Sequence, residues 1–431
     1  MVKLGMKIDM SRLMKNTLLA ALLIVTANFT FGAQMILPMD EGQANHLKAY
    51  GITYWILNNG GKADWLLNYR GGSFAFQHNA LFEKECKIRG VSYEIVPDAK
   101  YTKILTDIAH PEVNQDRVKL DKPPKVAVYS PKSKLPWDDA VTLVLTYAEI
   151  PYDVIYDTEV INGELPKYDW LHLHHEDFTG QYGKFYGMYR NAAWYINEVK
   201  RQQSTASKLG FGKVSELKRA VAVEIRNYVL GGGFMFAMCS ATDSYDIALA
   251  AEDVDICERM FDGDGADPNA QQKLNYENCF AFENFQLRKN PMEYEFSNID
   301  VTTTRRMDEK IDYFTLFDFS AKWDPIPTML TQNHTKTVKG FMGQTTAFRN
   351  SVIKSSTLIL GETKAAKEAR YVHGEYGNGT WSFYGGHDPE DYRHLVGDPP
   401  TDLNLHPNSP GYRLILNNVL FPAAKKKKQK T

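Results

Sequence analysis

Cysteine is scarce in this chain. Four cysteines in 431 residues cannot build a disulfide scaffold. Neither sign of charge prevails: 50 Lys and Arg stand against 52 Asp and Glu, for a formal net charge of −2. A chain so balanced lacks the basic field that holds nucleic acid, and no nucleic-acid partner is expected. No apolar run reaches the roughly 20 residues of a membrane-crossing helix, so no span is expected in the mature chain. A phosphate-cradling Gly-x-x-x-x-Gly-Lys-Ser/Thr loop is also missing, and no organic cofactor is expected. What remains is 43% hydrophobic and 24% charged, an ordinary globular composition that excludes disorder as the main state. Aromatics, at 12%, point to aromatic-lined surfaces or pockets. A length prior of roughly 150 residues per domain gives two to three domains, or one large α/β domain with insertions.

Residues 1–33 read as an export signal. Lys3, Lys7, Arg12 and Lys15 make a basic start, Leu18 to Val25 an apolar run, and Thr26 to Ala33 a small-residue stretch fit for cleavage after Gly32 or Ala33. A periplasmic or otherwise exported location follows. Four basic residues and Asp9 leave with the signal, taking the net charge from −2 to −5. Residues 425–431 form a basic tail with five lysines, read as solvated. An oxidising compartment permits a disulfide between Cys257 and Cys279, while Cys86 reads as a buried small apolar residue.

From Gln34 on, short apolar strands alternate with helical patterns. Met35–Pro38, Asp64–Asn68 and Val91–Val96 read as strands, and His46–Asn58 and Leu81–Ile88 as helices. This β-α-β-α-β alternation over 34–118 predicts a small parallel sheet with covering helices. Lys119–Lys125, with two prolines, reads as a linker. The alternation then restarts: strands at Val126–Tyr129, Tyr152–Tyr156, Tyr168–His175 and Phe234–Met238, and helices from Asp138 or Asp139 to about Glu149, over Phe185–Lys208 and over Ser215–Leu230. Residues 280–376 are strand-rich and read as an insertion. The domain from 119 to 424 is closed by a strand at Thr380–Tyr384 and a helix at Tyr412–Leu420.

The stretch GGGFMFAMCSATDSYD, Gly231 to Asp246, carries the strongest chemical signal. An apolar strand ends at Cys239 and a helix begins at once, with small Ala237 and Ala241 two residues to either side, as a sharp strand-to-helix elbow requires. Such a turn exposes a sulfur at the carboxyl end of a strand, where the N–H of Ser240 can help hold an oxyanion. A second segment, Gly377–Asp391, is a strand ending in Gly385-Gly386-His387, with Asp388 and Glu390 close behind. His387 suits a base toward a cysteine from another strand, oriented by Glu390 or Asp388. A third, His172-Leu173-His174-His175-Glu176-Asp177, sits at a strand end and lines a pocket, serves the structure or, through His172, His174 and His175, binds a divalent metal. The aromatic run Phe178, Tyr182, Phe185, Tyr186, Tyr189, Trp194 and Tyr195 lines a cleft or packs helices. The acidic loop Asp262–Asp267 lacks a complete calcium-loop pattern and reads as a solvated turn. Asp398–Pro410 reads as an ordered surface loop or a lid.

Cys239 after a buried strand, and a later strand ending at His387 with an acid nearby, resemble the class I glutamine amidotransferase-like superfamily. The likeness covers roughly Lys125–Cys239 and the return at Gly377–Glu390. It implies a flavodoxin-like parallel sheet with Cys239 as nucleophile and His387 as base. The superfamily's acid position falls on Pro389 here, which leaves Glu390 and Asp388 as candidates. Stretches such as LPWDDAVTLVLTYAEIPYDVIYD, YDWLHLHHEDFTGQYGKF and FYGGHDPEDY also resemble an exported bacterial family often labelled asparagine synthetase B. The ATP chemistry in that label has no carrier here, since residue 2 is Val2 and no SGGxDS loop is present. The implied function is an exported cysteine-dependent amidase or hydrolase acting on a small molecule or envelope polymer, with His172, His174, His175, Glu176, Asp177 and Ser240 shaping the substrate pocket. The alternatives are a non-catalytic envelope binding protein and a metal-dependent hydrolase built on the His172–Glu176 cluster. Oligomeric state is not legible from these patterns.

Overall fold

The computed structural model describes residues 32–133, 136–304 and 308–424. The expected export signal, but for its last two residues, and the basic tail lie outside the described residues. Two sheets form the frame. The first joins β1 (Ala33–Leu37), β2 (Ala63–Leu67), β3 (Ser73–Gln77), β4 (Glu94–Pro97) and β5 (Asp116–Leu120) in the order β4-β1-β3-β2-β5. Every pairing in it is antiparallel, which corrects the parallel sheet expected over 34–118. The reason is β3. Asn68 and Arg70 at positive φ, with Gly71 and Gly72, turn the chain straight back after β2, so β3 lies between β1 and β2 and opposes both.

The second sheet has ten strands. β6 (Val126–Tyr129), β7 (Asp153–Ile155), β8 (Trp170–Leu173) and β9 (Phe234–Met238) are followed by β10 (Tyr313–Leu316), β11 (Thr337–Lys339), β12 (Phe348–Arg349), β13 (Leu358–Thr363), β14 (Glu368–Tyr376) and β15 (Gly379–Tyr384). Its main path runs β11-β10-β13-β14-β15-β9-β8-β6-β7. The segment β7-β6-β8-β9-β15 is parallel throughout, and β14, β13, β10 and β11 extend it antiparallel. The strand-rich region 280–376 therefore supplies strands to the same sheet as β6–β9. The chain is mixed α/β.

The parallel strands are apolar on both faces because helices cover both. Leu171, Leu173, Met235 and Ala237 pack with the helix Val214–Leu230, whose Leu217, Val221, Ile225 and Val229 share its inner face. Trp170 and Phe236 face the opposite layer with the helices His46–Asn58, Ala140–Tyr147 and Pro410–Leu420. That layer joins the two sheets. Arg413, fully buried, donates to the carbonyls of Met39 and Gly71, and a Cβ on Gly51 would stand 1.9 Å from the Ala148 carbonyl oxygen. Among the described residues, no helix is long and apolar enough to cross a membrane.

The possible Cys257–Cys279 disulfide is not formed. Each thiol donates to a different carbonyl at 3.2 Å, Cys257 to Thr179 and Cys279 to Asp246. Cys86 is fully buried on the helix Ala80–Arg89. The helical region read over Phe185–Lys208 is broken, with a regular helix only at Ala193–Lys208.

Candidate active site

Cys239 follows β9 directly and caps the helix Ser240–Ala250 at φ 53°, ψ −141°, a left-sided conformation costly for any residue with a Cβ. Its neighbours hold it there. The Cys239 N–H donates to the Gly386 carbonyl (3.1 Å), the Gly386 N–H to Thr345 (2.7 Å) and the His387 N–H to Met342 (2.9 Å). The loop 342–346 thus clasps the ends of β9 and β15 together. Glycine is needed at this clasp: a Cβ on Gly386, at φ +100°, would stand 2.4 Å from the Phe341 ring, and one on Gly343 2.7 Å from the His387 nitrogen.

The clasp also aims N–H groups at the sulfur. The Gln344 N–H donates to Cys239 Sγ at 3.3 Å, and the backbone N–H groups of Ser240 and Thr345 act on the same thiol. Burial outweighs them and pushes the Cys239 thiol up to about 11. Burial, aided by the charge on His394, pushes His387 down to about 3, against a hydrogen bond to the Asp138 carbonyl that raises it. The resting pair is therefore a neutral thiol and a neutral imidazole. His387 Nε2 is buried with no hydrogen-bond partner among the described residues.

Behind His387 the structure places groups that sequence reasoning missed. His394 stacks on it, with ring centroids 4.2 Å apart and planes 16° apart. His394 is held between Asp138 (3.1 Å) and Asp391 (3.0 Å). Burial raises the Asp138 carboxyl, and His394 opposes that rise. Asp388 and Glu390 are turned to other partners. Asp388 accepts from the Glu390 N–H and the Thr401 hydroxyl, and Glu390 pairs with His406 Nδ1 at 3.1 Å.

Cys239 and His387 both line a cleft of about 650 Å³ at the carboxyl end of the parallel strands. Its walls are mostly apolar and aromatic, with Trp137, Phe185, Tyr189 and Tyr294 prominent, and Arg393 contributes a cation. Phe185 and Tyr189 are the members of the aromatic run that reach it; Phe178, Tyr182 and Tyr195 belong to the core. Leu395 and Val396 reach it from the segment just before 398–410.

The third segment divides. His175 lines the cleft, whereas His172 and His174 lie beneath it with Asp139. His172 is pushed down to about 3, and His174 and His175 well below their ordinary value, in each case by burial first. Glu176 accepts from the Tyr156 hydroxyl at 2.8 Å, and burial raises it to about 7. Asp177 accepts from Thr179 and from the Gly183 N–H, and burial raises it too. Ser240 Oγ donates to the His175 carbonyl. The acidic loop is tied down by Lys213, which pairs with Asp255, Asp262 and Asp264. Asp139 was visible in the sequence as a helix cap, and it does accept from the Thr142 N–H. Asp138 reads in the sequence only as the alternative cap of that helix, which is not its role, and His394 and Gln344 carry no local signal, since they reach the site only through folded loops.

No family model matches this chain, and no curated protein does. Among solved structures, the chain is similar to the cytoplasmic protein STM3548 from Salmonella typhimurium, at 12% identity and a TM-score of 0.35 over 70% of this chain and all of that one. It is also similar to Gan42B, a GH42 β-galactosidase, at 11% identity and a TM-score of 0.26 over 62% of this chain and 28% of that one.

Proposed function

We propose that this chain is an exported cysteine-dependent amidase or related hydrolase of the glutamine amidotransferase-like type, with Cys239 as nucleophile and His387 as base. One observation carries the reading: Cys239 is held at a positive φ on a strand-to-helix turn, in the same cleft as His387. The strand order β7-β6-β8-β9-β15, which is 2-1-3-4-5 within the parallel segment, supports a flavodoxin-like core with both groups at strand ends. The basic and apolar start of the sequence supports export.

In this reaction the Cys239 sulfur attacks the carbonyl carbon of an amide while its proton passes to His387 Nε2. The carbonyl oxygen becomes an oxyanion near the N–H groups of Gln344 and Ser240. The C–N bond then breaks, the amine leaves with the proton from His387, and water hydrolyses the thioester. The aromatic walls favour an amide carrying an apolar or aromatic group, and Arg393 favours a substrate with a carboxylate.

The test is intact-mass spectrometry of the protein mixed with a panel of aryl amides and activated esters. A mass gain of one acyl group, abolished in Cys239→Ala, supports the reading. Turnover that persists in Cys239→Ala overturns it. A second reading, a non-catalytic binding protein on the same scaffold, draws on the thiol and imidazole both being held neutral, far from values matched to pH 7. It predicts ligand binding to the cleft with no acyl adduct.

A further inference from the structure

We propose, resting on the reading of Cys239 and His387 as an amide hydrolase, that the substrate is an N-acyl amino acid: an apolar or aromatic acyl group joined through the scissile amide to an amine that carries a free carboxylate. The cleft has two sides. On one, the Gln344 N–H reaches Cys239 Sγ, and the Gln344 side-chain amide donates to the Tyr294 carbonyl at 3.1 Å. Phe185 stands between Tyr294 and Tyr189, its ring centroid 5.9 Å from each, so this side is an aromatic wall. On the other, His394 stacks on His387, and Arg393 is the chain neighbour of His394. Trp137 spans the two, its ring 5.3 Å from both Phe185 and His175.

The chemistry assigns the two halves of the substrate to these sides. The departing nitrogen takes its proton from His387, so the amine leaves on the His387 side and the acyl group stays on the sulfur against the aromatic wall. Water then gives its hydroxyl to the acyl carbon and its proton to the sulfur, and the products are a carboxylic acid and an amino acid. The charge of the lining places the carboxylate. Among the described lining residues, Arg393 is the one fixed cation, and no Asp or Glu lines the cleft. Arg393 is exposed, and no ion pair or hydrogen bond among the described residues occupies its guanidinium. The acids close to it in sequence are engaged elsewhere, Asp391 by His394 and Asp398 by the Leu395 N–H. The rim around it is apolar, with Met188 and Leu395 both exposed there. A guanidinium fork in such a rim matches a carboxylate in shape and charge. At about 650 Å³ the cleft has room for both an acyl group and an amino acid.

The experiment compares three probes on the full chain: N-benzoylglycine, its methyl ester, and N-benzylsuccinamic acid, which carries its carboxylate on the acyl half instead. Calorimetry on Cys239→Ala reads binding without turnover. N-benzoylglycine is expected to bind about 10-fold or more tighter than the other two, and adding Arg393→Gln should erase its advantage over the ester. The wild type reads the same order through protection of Cys239 from iodoacetamide, so the outcome does not depend on Cys239→Ala folding. The wild type should also release glycine from N-benzoylglycine. Arg393-dependent binding without release of glycine would overturn the hydrolase reading and leave the ligand class standing. Failure of N-benzoylglycine to bind, equal binding of acid and ester, a preference unchanged in Arg393→Gln, or tighter binding of N-benzylsuccinamic acid would overturn the proposal.

Discussion

Replacing Cys239 by glycine and, separately, by alanine isolates the strain in the elbow. Both changes remove the thiol; they differ by one Cβ. At an ordinary position glycine is the less stable of the two by roughly 0.5–1 kcal/mol, through backbone entropy. At φ 53°, ψ −141° the Cβ itself is strained, and such conformations cost of order 1–3 kcal/mol. With strain near the middle of that range, Cys239→Gly should be more stable than Cys239→Ala by about 1 kcal/mol, reversing the usual sign. Urea unfolding followed by tryptophan fluorescence reads this as a higher midpoint at an unchanged slope. If Cys239→Ala is instead the more stable variant, the elbow is not strained and its comparison with a nucleophile turn fails.

Three further outcomes follow from the same geometry. Lys218 and Asp157 are fully buried and 2.9 Å apart, with Tyr129 and Tyr156 completing the ammonium's partners; Lys218→Met should cost about 3–5 kcal/mol in urea unfolding, and adding Asp157→Leu should restore most of it. Burial pushes His373 down to about 4, so the fold keeps it neutral while the unfolded chain takes up a proton as pH falls below about 6.5. Stability is therefore lost between pH 6.5 and 4, and His373→Asn should flatten that fall by up to about 1.4 kcal/mol per pH unit, whereas equal slopes would contradict the assignment. Gly386→Ala drives a Cβ into the Phe341 ring, so it should destabilise by about 2 kcal/mol or more and slow thiol labelling of Cys239, although residue 386 bears no reactive group.

Legibility tracked how local each signal was. β9 and β15 stood out as apolar runs ended by Cys239 and by Gly385-Gly386-His387, because buried parallel strands are apolar on both faces. The first sheet differs from the expectation at one point: β3, Ser73–Gln77, is not among the strands expected from the sequence, and without it β1, β2 and β4 look like the strands of a parallel sheet. His172 and His174 were visible as one strand face, but their partner Asp139 reads locally only as a helix cap. The orienting groups expected near His387, Asp388 and Glu390, lie one and three residues along the chain. The structure brings Asp138 and His394 there instead, from loops whose sequence carries no periodicity.

The pairing of Cys239 with His387 is tested most directly by labelling the native protein with iodoacetamide, reading each cysteine by mass spectrometry in the wild type and in His387→Ala. Cys239 lines the open cleft, while Cys86, Cys257 and Cys279 are buried away from it. Selective labelling of Cys239, slowed about 100-fold or more in folded His387→Ala, is the predicted result. A Cys239 that stays inert in the native fold, or that labels at the same rate without His387, would contradict the account.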